Sequence, residues 1–484
     1  MKILYALWCA FALCGCSTEC LRILQSASYK PKRGYFKVLV SWYFAILCVL
    51  QLFSWFCWAY FPNEIVLCCV YTLVALILCV LPRKSPLKYT KRICRILFAQ
   101  LCLLFAMCFF ALYWWVVLLP FVSLLAFFIC LPVDLAINRK YLRNAQRKLQ
   151  ASGVEVIAIT GSYGKTSLKS MLSVLLDGAI SPEGSCNTPL GIAKFVNSAQ
   201  LLECKYLILE FGARQRGDIA HLCKLFCPKY GIITGVCAQH LSTFKTFQNV
   251  VATKRELAEN LPRNGFCVLC DENVRSFEQA GDCAKILKPQ VEIENLNITL
   301  KGLKFTAIYN GRFEVQLPLI SPYSAQNFAI CATVCNLLGQ SFEKTLRNVG
   351  KIRQVPHRME IFFNGKFFII DDSYNASIRG VESCCDVLRH FDGKKVAISQ
   401  GIVEGGKMQR ELNEQCGKLL GKVCNVVIVL GKNSAELEKG AKSSLDCTVL
   451  YAKNLQSAVQ LAQNYLSQND FLLFQNDLPD VVNV

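Results

Sequence analysis

Apolar residues run almost without interruption through the first 130 positions and then break into short runs that alternate with helix-like segments. "VLVSWYFAILCVLQLFSWFCWAYF" (38–61) and "IVLCCVYTLVALILCVL" (65–81) are each near the roughly 20 residues that cross a hydrocarbon core of about 30 Å. The run from Ile96 to Leu131 is too long for one helix and carries no charge, which predicts a tight hairpin of two spans, about 96–112 and 114–131, turning near "YWW" (113–115). Four crossings thus fall in a membrane region of residues 1–131. The stretch "ILYALWCAFALCGC" (3–16) is only about 14 residues long. It reads either as a segment ending in a lipobox-like Cys16 or in signal-peptide style, or as a fifth, short or re-entrant segment. From 132 to 152 apolar positions take helical spacing among many cations. That predicts a basic juxtamembrane helix lying along anionic headgroups, or an ordinary solvated helix.

Beyond Gly153 strand and helix signals alternate: "VEVIAIT", "SLKSMLSVLLDG", "KYLILEFG", "IAHLCKLFC", "YGIITGV", "VVATKRELAENL", "FCVLCD". Such alternation predicts a parallel, doubly wound α/β sheet. Residues 285–320 read as its antiparallel extension, followed by a helix from about Ala325 to Leu338. A break at "GKIRQVPHRMEI" (350–361) separates a central domain, 153–355, from a smaller Rossmann-like α/β domain, 356–484, in which strand-then-turn patterns resume.

Charge and composition sharpen this division. To residue 150 there are 17 Lys and Arg against three acids, so +14 of the formal +19 lies in the apolar third. The basicity belongs to the membrane region and argues against a nucleic-acid partner. Basic clusters at 30–37, 83–95 and 139–148, with none in "FPNE" (61–64), place those clusters and everything after residue 133 in the cytoplasm by the positive-inside rule. The 28 cysteines are scattered through spans and core strands, where a free thiol behaves as a small hydrophobe. Cys267 and Cys270 form a CxxC without a second pair at zinc spacing, and four histidines leave little for a His-based metal cluster.

The chemistry concentrates in "VEVIAITGSYGKTSLKSML" (154–172), an apolar strand, a glycine turn and the opening of an amphipathic helix. Gly161 and Gly164 let backbone amides point into a concavity at a helix N-terminus, where phosphate binds. Lys165 would reach the β and γ phosphates and Thr166 would place a hydroxyl on Mg2+, with Ser162 and Ser167 in the same turn. The generic loop has a further glycine five positions before Gly164, where this chain has Ile159, so the loop is a shortened form. The alternative reading is a tight turn with a surface lysine.

Downstream come, in order, "LILEFGARQRGDI", "AQHLSTF", "VATKRELAENLP", "SAQNFAICATVCNLLG", "PHRMEI" and "IIDDSYNASIRGVES". With the shortened loop, this ordered set resembles the Mur ligase superfamily over residues 150–484, and the Asp-Asp-Ser-Tyr-Asn-Ala run is especially like its MurF branch, which joins D-Ala-D-Ala to UDP-MurNAc-tripeptide. The resemblance implies that Glu210 and His240 contact Mg2+, and that Lys254 is carbamylated beside a second metal. It also implies that Asn327 and Asp372 meet the nucleotide and that Arg358 meets the terminal phosphate of ATP. It further implies an ATP-dependent amide ligase of peptidoglycan synthesis acting through an acyl phosphate, with a UDP-MurNAc-peptide and a D-amino-acid dipeptide as substrates. The implied setting is the bacterial inner membrane, with membrane lipid as a partner and the catalytic domains in the cytoplasm. Two departures keep a different or lipid-linked acceptor open. Apolar spans stand where such ligases have a soluble nucleotide-gripping domain, and "FQNDLPD" (474–480) stands where a Lys-Gly-Ser-Arg-like stretch is usual. An ATP-driven transporter component or sensor would place functional charges inside the spans, which are nearly free of them.

Overall fold

A computed structural model describes residues 2–26, 29, 31, 35–60, 64–80, 87–110, 116–237, 241–270, 285–374, 377–403 and 405–475. The chain forms two units, residues 1–140 and 141–484.

In the first unit the apolar runs are helical: α1 (Lys2–Cys16), α2 (Thr18–Ser26), α3 (Trp42–Tyr60), α4 (Glu64–Val80), α5 (Lys91–Phe109) and the start of α6 (Leu119–Ser152). Lys2–Ser26, Lys91–Phe109 and Val116–Ser152 are long and apolar enough to cross a membrane, whereas Trp42–Cys57 and Ile65–Leu78 are shorter among the described residues. The N-terminal segment is therefore longer than the sequence suggested. Ser17 joins α1 to α2 because its amide still bonds back to Leu13 O (3.0 Å) and its carbonyl receives Cys20 N (2.9 Å). Gly15 lets α1 approach α4, since a Cβ there would lie 2.8 Å from Ala75 Cβ. Two buried hydroxyl contacts lie inside the bundle: Tyr43 Oη donates to Cys16 O (2.8 Å), and Ser54 Oγ pairs with Tyr71 Oη (2.6 Å). Asp134, 3% exposed, is held by Arg92 Nε (2.7 Å) and Arg95 Nε (3.1 Å), so the charge that enters this bundle is paired. The expected turn at 113–115 lies outside the described residues.

No break separates the last apolar run from the basic helix expected at 132–152. Pro132 sits inside α6, and from 133 to 152 there is neither glycine nor proline to stop it. Gly153, at φ +66°, ends the helix. Within the second unit the last turns of α6 bury one stripe and leave the other face exposed. Ala145 and Leu149 are buried against Ile192, Val196 and Leu222, and Lys148 Nζ caps a helix end by donating to Asn197 O (2.8 Å) and Ala199 O (2.6 Å).

The central domain is a six-stranded parallel sheet in the order β2-β3-β1-β4-β5-β6. The strands are β1 (Glu155–Thr160), β2 (Ala179–Ile180), β3 (Tyr206–Glu210), β4 (Tyr230–Ile233), β5 (Phe266–Leu269) and β6 (Lys285–Leu287). Strand β1 shows why the sheet is covered on both faces: Ile157 and Ile159 enter one core, while Val156 and Ala158 enter the other. The helices that cover it are α7 (Lys165–Leu175), α8 (Pro189–Ser198), α9 (Asp218–Phe226), α10 (Leu241–Phe244), α11 (Phe247–Glu259) and α12 (Tyr323–Leu337). The β-rich stretch near 300 is a correction: β7 (Glu292–Thr299), β8 (Gly302–Ile308) and β9 (Arg312–Leu317) form a separate antiparallel sheet, not an extension. Their inward residues Ile298, Leu303, Phe305 and Leu317 pack with α12 residues such as Phe328, which fixes that helix beside α7.

After α13 (Phe342–Asn348), the C-terminal domain is a second sheet in the order β10-β11-β15-β12-β13-β14, parallel except for the edge strand β10 (Glu360–Phe363). It contains β11 (Phe368–Asp372), β12 (Lys395–Ser399), β13 (Val426–Val429), β14 (Thr448–Tyr451) and β15 (Phe471–Gln475), with α14 (Ile378–Arg389), α15 (Gln409–Gly421), α16 (Ser434–Ala441) and α17 (Leu455–Gln463) around it.

Candidate active site

The carboxyl ends of β1, β3 and β4 meet at one point, the place where an open parallel sheet presents ligand-binding loops. Between β1 and α7 the backbone takes φ +151° at Gly161 and +76° at Gly164. A Cβ on Gly161 would fall 1.8 Å from Thr234 Oγ1, so only glycine fits. The loop is tied to the end of β4 by Ser162 N to Gly235 O (2.7 Å), Cys237 N to Ser162 Oγ (3.1 Å) and Thr234 Oγ1 to Tyr163 O (2.6 Å). Lys165 folds back to donate from Nζ to Gly161 O (2.9 Å). Ser167 follows in the first turn of α7.

Thr166 is the meeting point of the site. Its hydroxyl donates to Glu210 Oε2 (2.8 Å), and it accepts from Arg358 Nη2 (3.4 Å) of the C-terminal domain. Glu210, 2% exposed at the end of β3, also accepts from Asn187 Nδ2 (3.2 Å). Lys254 on α11 is 4% exposed; burial, then the charge of Lys165, pushes its amine down to about 7. Beside it on α11, Arg255 Nε and Glu259 Oε1 pair on the outer face (2.9 Å). Glu256 turns inward and caps α9, accepting from Gly217 N (2.7 Å) and Ala220 N (3.0 Å).

Burial also lowers the pKa of Lys165, against the pull of Glu210, and that of Arg358, against Asp372, Tyr374 and Glu210. Arg358 lies 3.9 Å over the Tyr374 ring, and its Nε is buried without a hydrogen-bond partner among the described residues. Burial pushes the Asp372 carboxyl up to about 7, although the Cys384 thiol donates to it (3.4 Å) and Arg358 draws it down. Asn327, on α12, points its amide at the loop: a Cβ on Gly164 would meet Asn327 Oδ1 at 3.9 Å. His240 lies outside the described residues.

Several participants were not singled out in sequence. Asn187 sits in "GSCNTPLG", and Arg379 Nη1 donates to Tyr163 Oη (2.8 Å) from the start of α14. Ser185 and the Tyr374 hydroxyl pair across the two domains. Lys169, four residues after Lys165 and 1% exposed, donates to Pro182 O and Gly184 O, which pins the turn that leads to Asn187. Its signal was the second lysine at helical spacing on a buried face.

Glu210 is thus the one carboxylate that all three cations, Lys165, Lys254 and Arg358, share, and the Arg358 Nε is a buried donor with no partner among the described residues. That balance fits a polyanion such as a triphosphate. Among the described residues no three His, Cys, Asp or Glu converge as a metal cage. Mg2+ needs none where one carboxylate, a hydroxyl and substrate phosphates complete its octahedron, so Thr166 and Glu210 fit it.

Residues 159–335 match the Mur ligase middle domain and residues 357–475 the Mur ligase glutamate ligase domain. The chain is 25% identical over 295 residues to the UDP-N-acetylmuramoyl-tripeptide–D-alanyl-D-alanine ligase of Escherichia coli K12, covering 58% of this chain and 65% of that protein. It is 30% identical over 246 residues to the ligase of the same name from Mycobacterium tuberculosis H37Rv, covering 48% of each. It therefore spans about two thirds of the first relative's length and about half of the second's. Its fold matches MurF of Thermotoga maritima, solved in complex with ADP, with TM-score 0.64 and 24% identity over 70% of this chain and 80% of that one. Because the two domain matches follow one another in the order of the two sheets, the chain belongs to the Mur ligase superfamily.

Proposed function

We propose that the chain is an ATP-dependent amide ligase of peptidoglycan precursor synthesis, joining D-Ala-D-Ala to UDP-MurNAc-tripeptide while anchored to the cytoplasmic membrane through residues 1–140. The observation that carries this reading is the convergence on Thr166 of a buried carboxylate from one domain and an arginine from the other.

An amide cannot form from a carboxylate in water until one carboxylate oxygen becomes a leaving group. Phosphoryl transfer from ATP to that oxygen gives an acyl phosphate and ADP; the amine then attacks the carbonyl carbon, loses a proton and expels phosphate. Catalysis of such a step is chiefly positioning and charge neutralisation. The amides from Gly161 to Lys165 would cradle the phosphates, and the Lys165 ammonium would leave Gly161 O for them. Arg358 would neutralise charge on the phosphoryl group in transit, with Tyr374 and Asp372 fixing its plane. Asn327 and Asp372 would hold the nucleotide, and desolvation between the domains would keep water from the acyl phosphate. Mg2+, held by Thr166, Glu210, His240 and a carbamylated Lys254, would supply further charge neutralisation on the phosphates.

A second reading, the same chemistry on a different or lipid-linked acceptor, is favoured by one observation. The residues preceding the family match at 159 include three helices long and apolar enough to cross a membrane. Phosphate release by detergent-purified full-length protein with ATP, Mg2+ and D-Ala-D-Ala, with and without UDP-MurNAc-tripeptide, separates the two. Release coupled to UDP-MurNAc-pentapeptide formation, absent in Lys165→Ala, is expected. ATP binding with no stimulation by the soluble precursor would overturn the substrate assignment and leave the second reading.

A further inference from the structure

Arg358 stands between two residues in a conformation that side chains rarely adopt: His357 at φ +62° and Met359 at φ +53°. Neither is glycine, so local preference alone would not hold this backbone. It is held by the end of β11 and by Glu360 of β10, whose Oε2 accepts from His357 N (3.4 Å). His357 Nδ1 lies 2.8 Å from Asp371 Oδ2, and the His357 carbonyl receives the Tyr374 amide (3.4 Å). Asp371 is 3% exposed and rigid, because its other oxygen accepts from the Ser373 hydroxyl (2.6 Å) and the Ser373 amide (3.0 Å). Gln354 closes the far side, bonding Ile361 through both its amide nitrogen (3.0 Å) and its amide oxygen (2.6 Å). The same strand end therefore grips His357 and supplies Tyr374, on whose ring the Arg358 guanidinium rests at 3.9 Å. The two adjacent carboxylates divide the work: Asp371 takes the histidine, and Asp372 faces the arginine.

We propose that His357 is a positioning residue for Arg358: its bond to Asp371 locks the left-handed backbone that aims the guanidinium at the phosphate loop. This rests on the reading above that Arg358 meets the terminal phosphate of ATP. A guanidinium acts on a phosphate through directed donors, so a small change in its origin costs affinity for the phosphate it meets and for no other part of the nucleotide.

The test is binding by full-length protein in detergent of a non-hydrolysable ATP analogue and of ADP, each with Mg2+, measured by calorimetry. Glycine adopts φ +62° freely, so His357→Gly removes the anchor without straining the backbone. It is expected to weaken the triphosphate about 10-fold and leave ADP within about 3-fold. His357→Asn carries a donor where Nδ1 stood and tolerates the left-handed region, and is expected to keep wild-type discrimination. Arg358→Ala should lose the triphosphate preference, and the double variant His357→Gly with Arg358→Ala should be no worse than Arg358→Ala alone, since both remove one interaction. If His357→Gly melts early, Asp371→Asn, which keeps the shape, should show a smaller loss confined to the triphosphate. Retained triphosphate affinity in His357→Gly, with Arg358→Ala impaired, would overturn the positioning role and leave the Arg358 reading intact. Additive losses in the double variant would overturn it as well. An Arg358→Ala protein with unchanged discrimination would instead overturn the role of Arg358 itself, and His357's with it.

Discussion

Lys254 carries the chemistry that burial makes available. An amine held near pKa 7 is substantially neutral at cytoplasmic pH, and only the neutral amine can take up carbon dioxide as a carbamate. That conversion would replace one of three clustered cations by an anion beside Glu210. Lys254→Ala is therefore expected to lose at least about 100-fold in ATP-dependent ligation and to regain part of it with added formate or acetate. Full activity without the acid would remove the carbamate. The same shift makes a stability prediction. The ordinary lysine value is 10.5 and the folded value about 7, so between those pH values the unfolded chain binds a proton that the folded chain does not. Stability then rises with pH across that window, by up to about 1.4 kcal/mol per pH unit for one group, and the cost is complete below pH 7. In carbon-dioxide-free buffer the wild type should gain stability from pH 7 to 9 relative to Lys254→Met, which keeps the lowered Lys165 and Lys169. Unfolding free energies from denaturant melts that change equally with pH in both proteins would contradict this. None of this was legible in "TKRELAENL" alone, where four charged residues within six positions read as a solvated face. The resemblance singled out Lys254, whereas the inward turn of Glu256 depends on α9, which no local pattern reveals.

At the scale of elements, the strand–loop–helix at 154–172 was the most legible feature, because its glycines, its Lys-Thr pair and its apolar strand all serve one geometry. The structure adds the reason that the loop cannot relax. Thr234 and Gly235 at the end of β4 press against it, and a Cβ on Gly235 would fall 1.9 Å from the Tyr163 ring. Gly161→Ala must move either Thr234 or the loop, so nucleotide binding is expected to fall below detection while the fold persists, read by calorimetry beside a melting curve. Near-normal ATP affinity in that variant would mean that the phosphates sit elsewhere. The less legible elements fail for identifiable reasons. Residues 292–317 alternate as any strands do, and only their packing on Phe328 says that they form a sheet of their own. The run 119–152 changes from apolar to basic side chains, a change that the backbone does not register, and so it remains one helix.

For the whole molecule the open matter is which solvent each unit meets. The first 150 residues carry +14 and apolar helices, and among the described residues Asp134 pairs with Arg92 and Glu19 with Arg22. Internal pairing of this kind is what a lipid-embedded segment would require. The second unit has α/β sheets, the central one covered on both faces, and the site at which the proposed reaction would take ATP, a cytoplasmic substrate. Cys227 offers a direct reading of its compartment. It is an exposed free thiol at the C-terminal end of α9, in a left-handed cap at φ +44°. A maleimide that cannot cross membranes is expected to leave Cys227 unlabelled in intact protoplasts and to label it in inside-out vesicles, read at that peptide by mass spectrometry. The protein itself should remain in the pellet after an alkaline carbonate wash. Labelling of Cys227 in intact protoplasts would put the second unit outside, where ATP is scarce, and would remove the ligase reading with it. Release by carbonate, with Cys227 protected, would instead keep the ligase and reduce the apolar helices to a surface attachment.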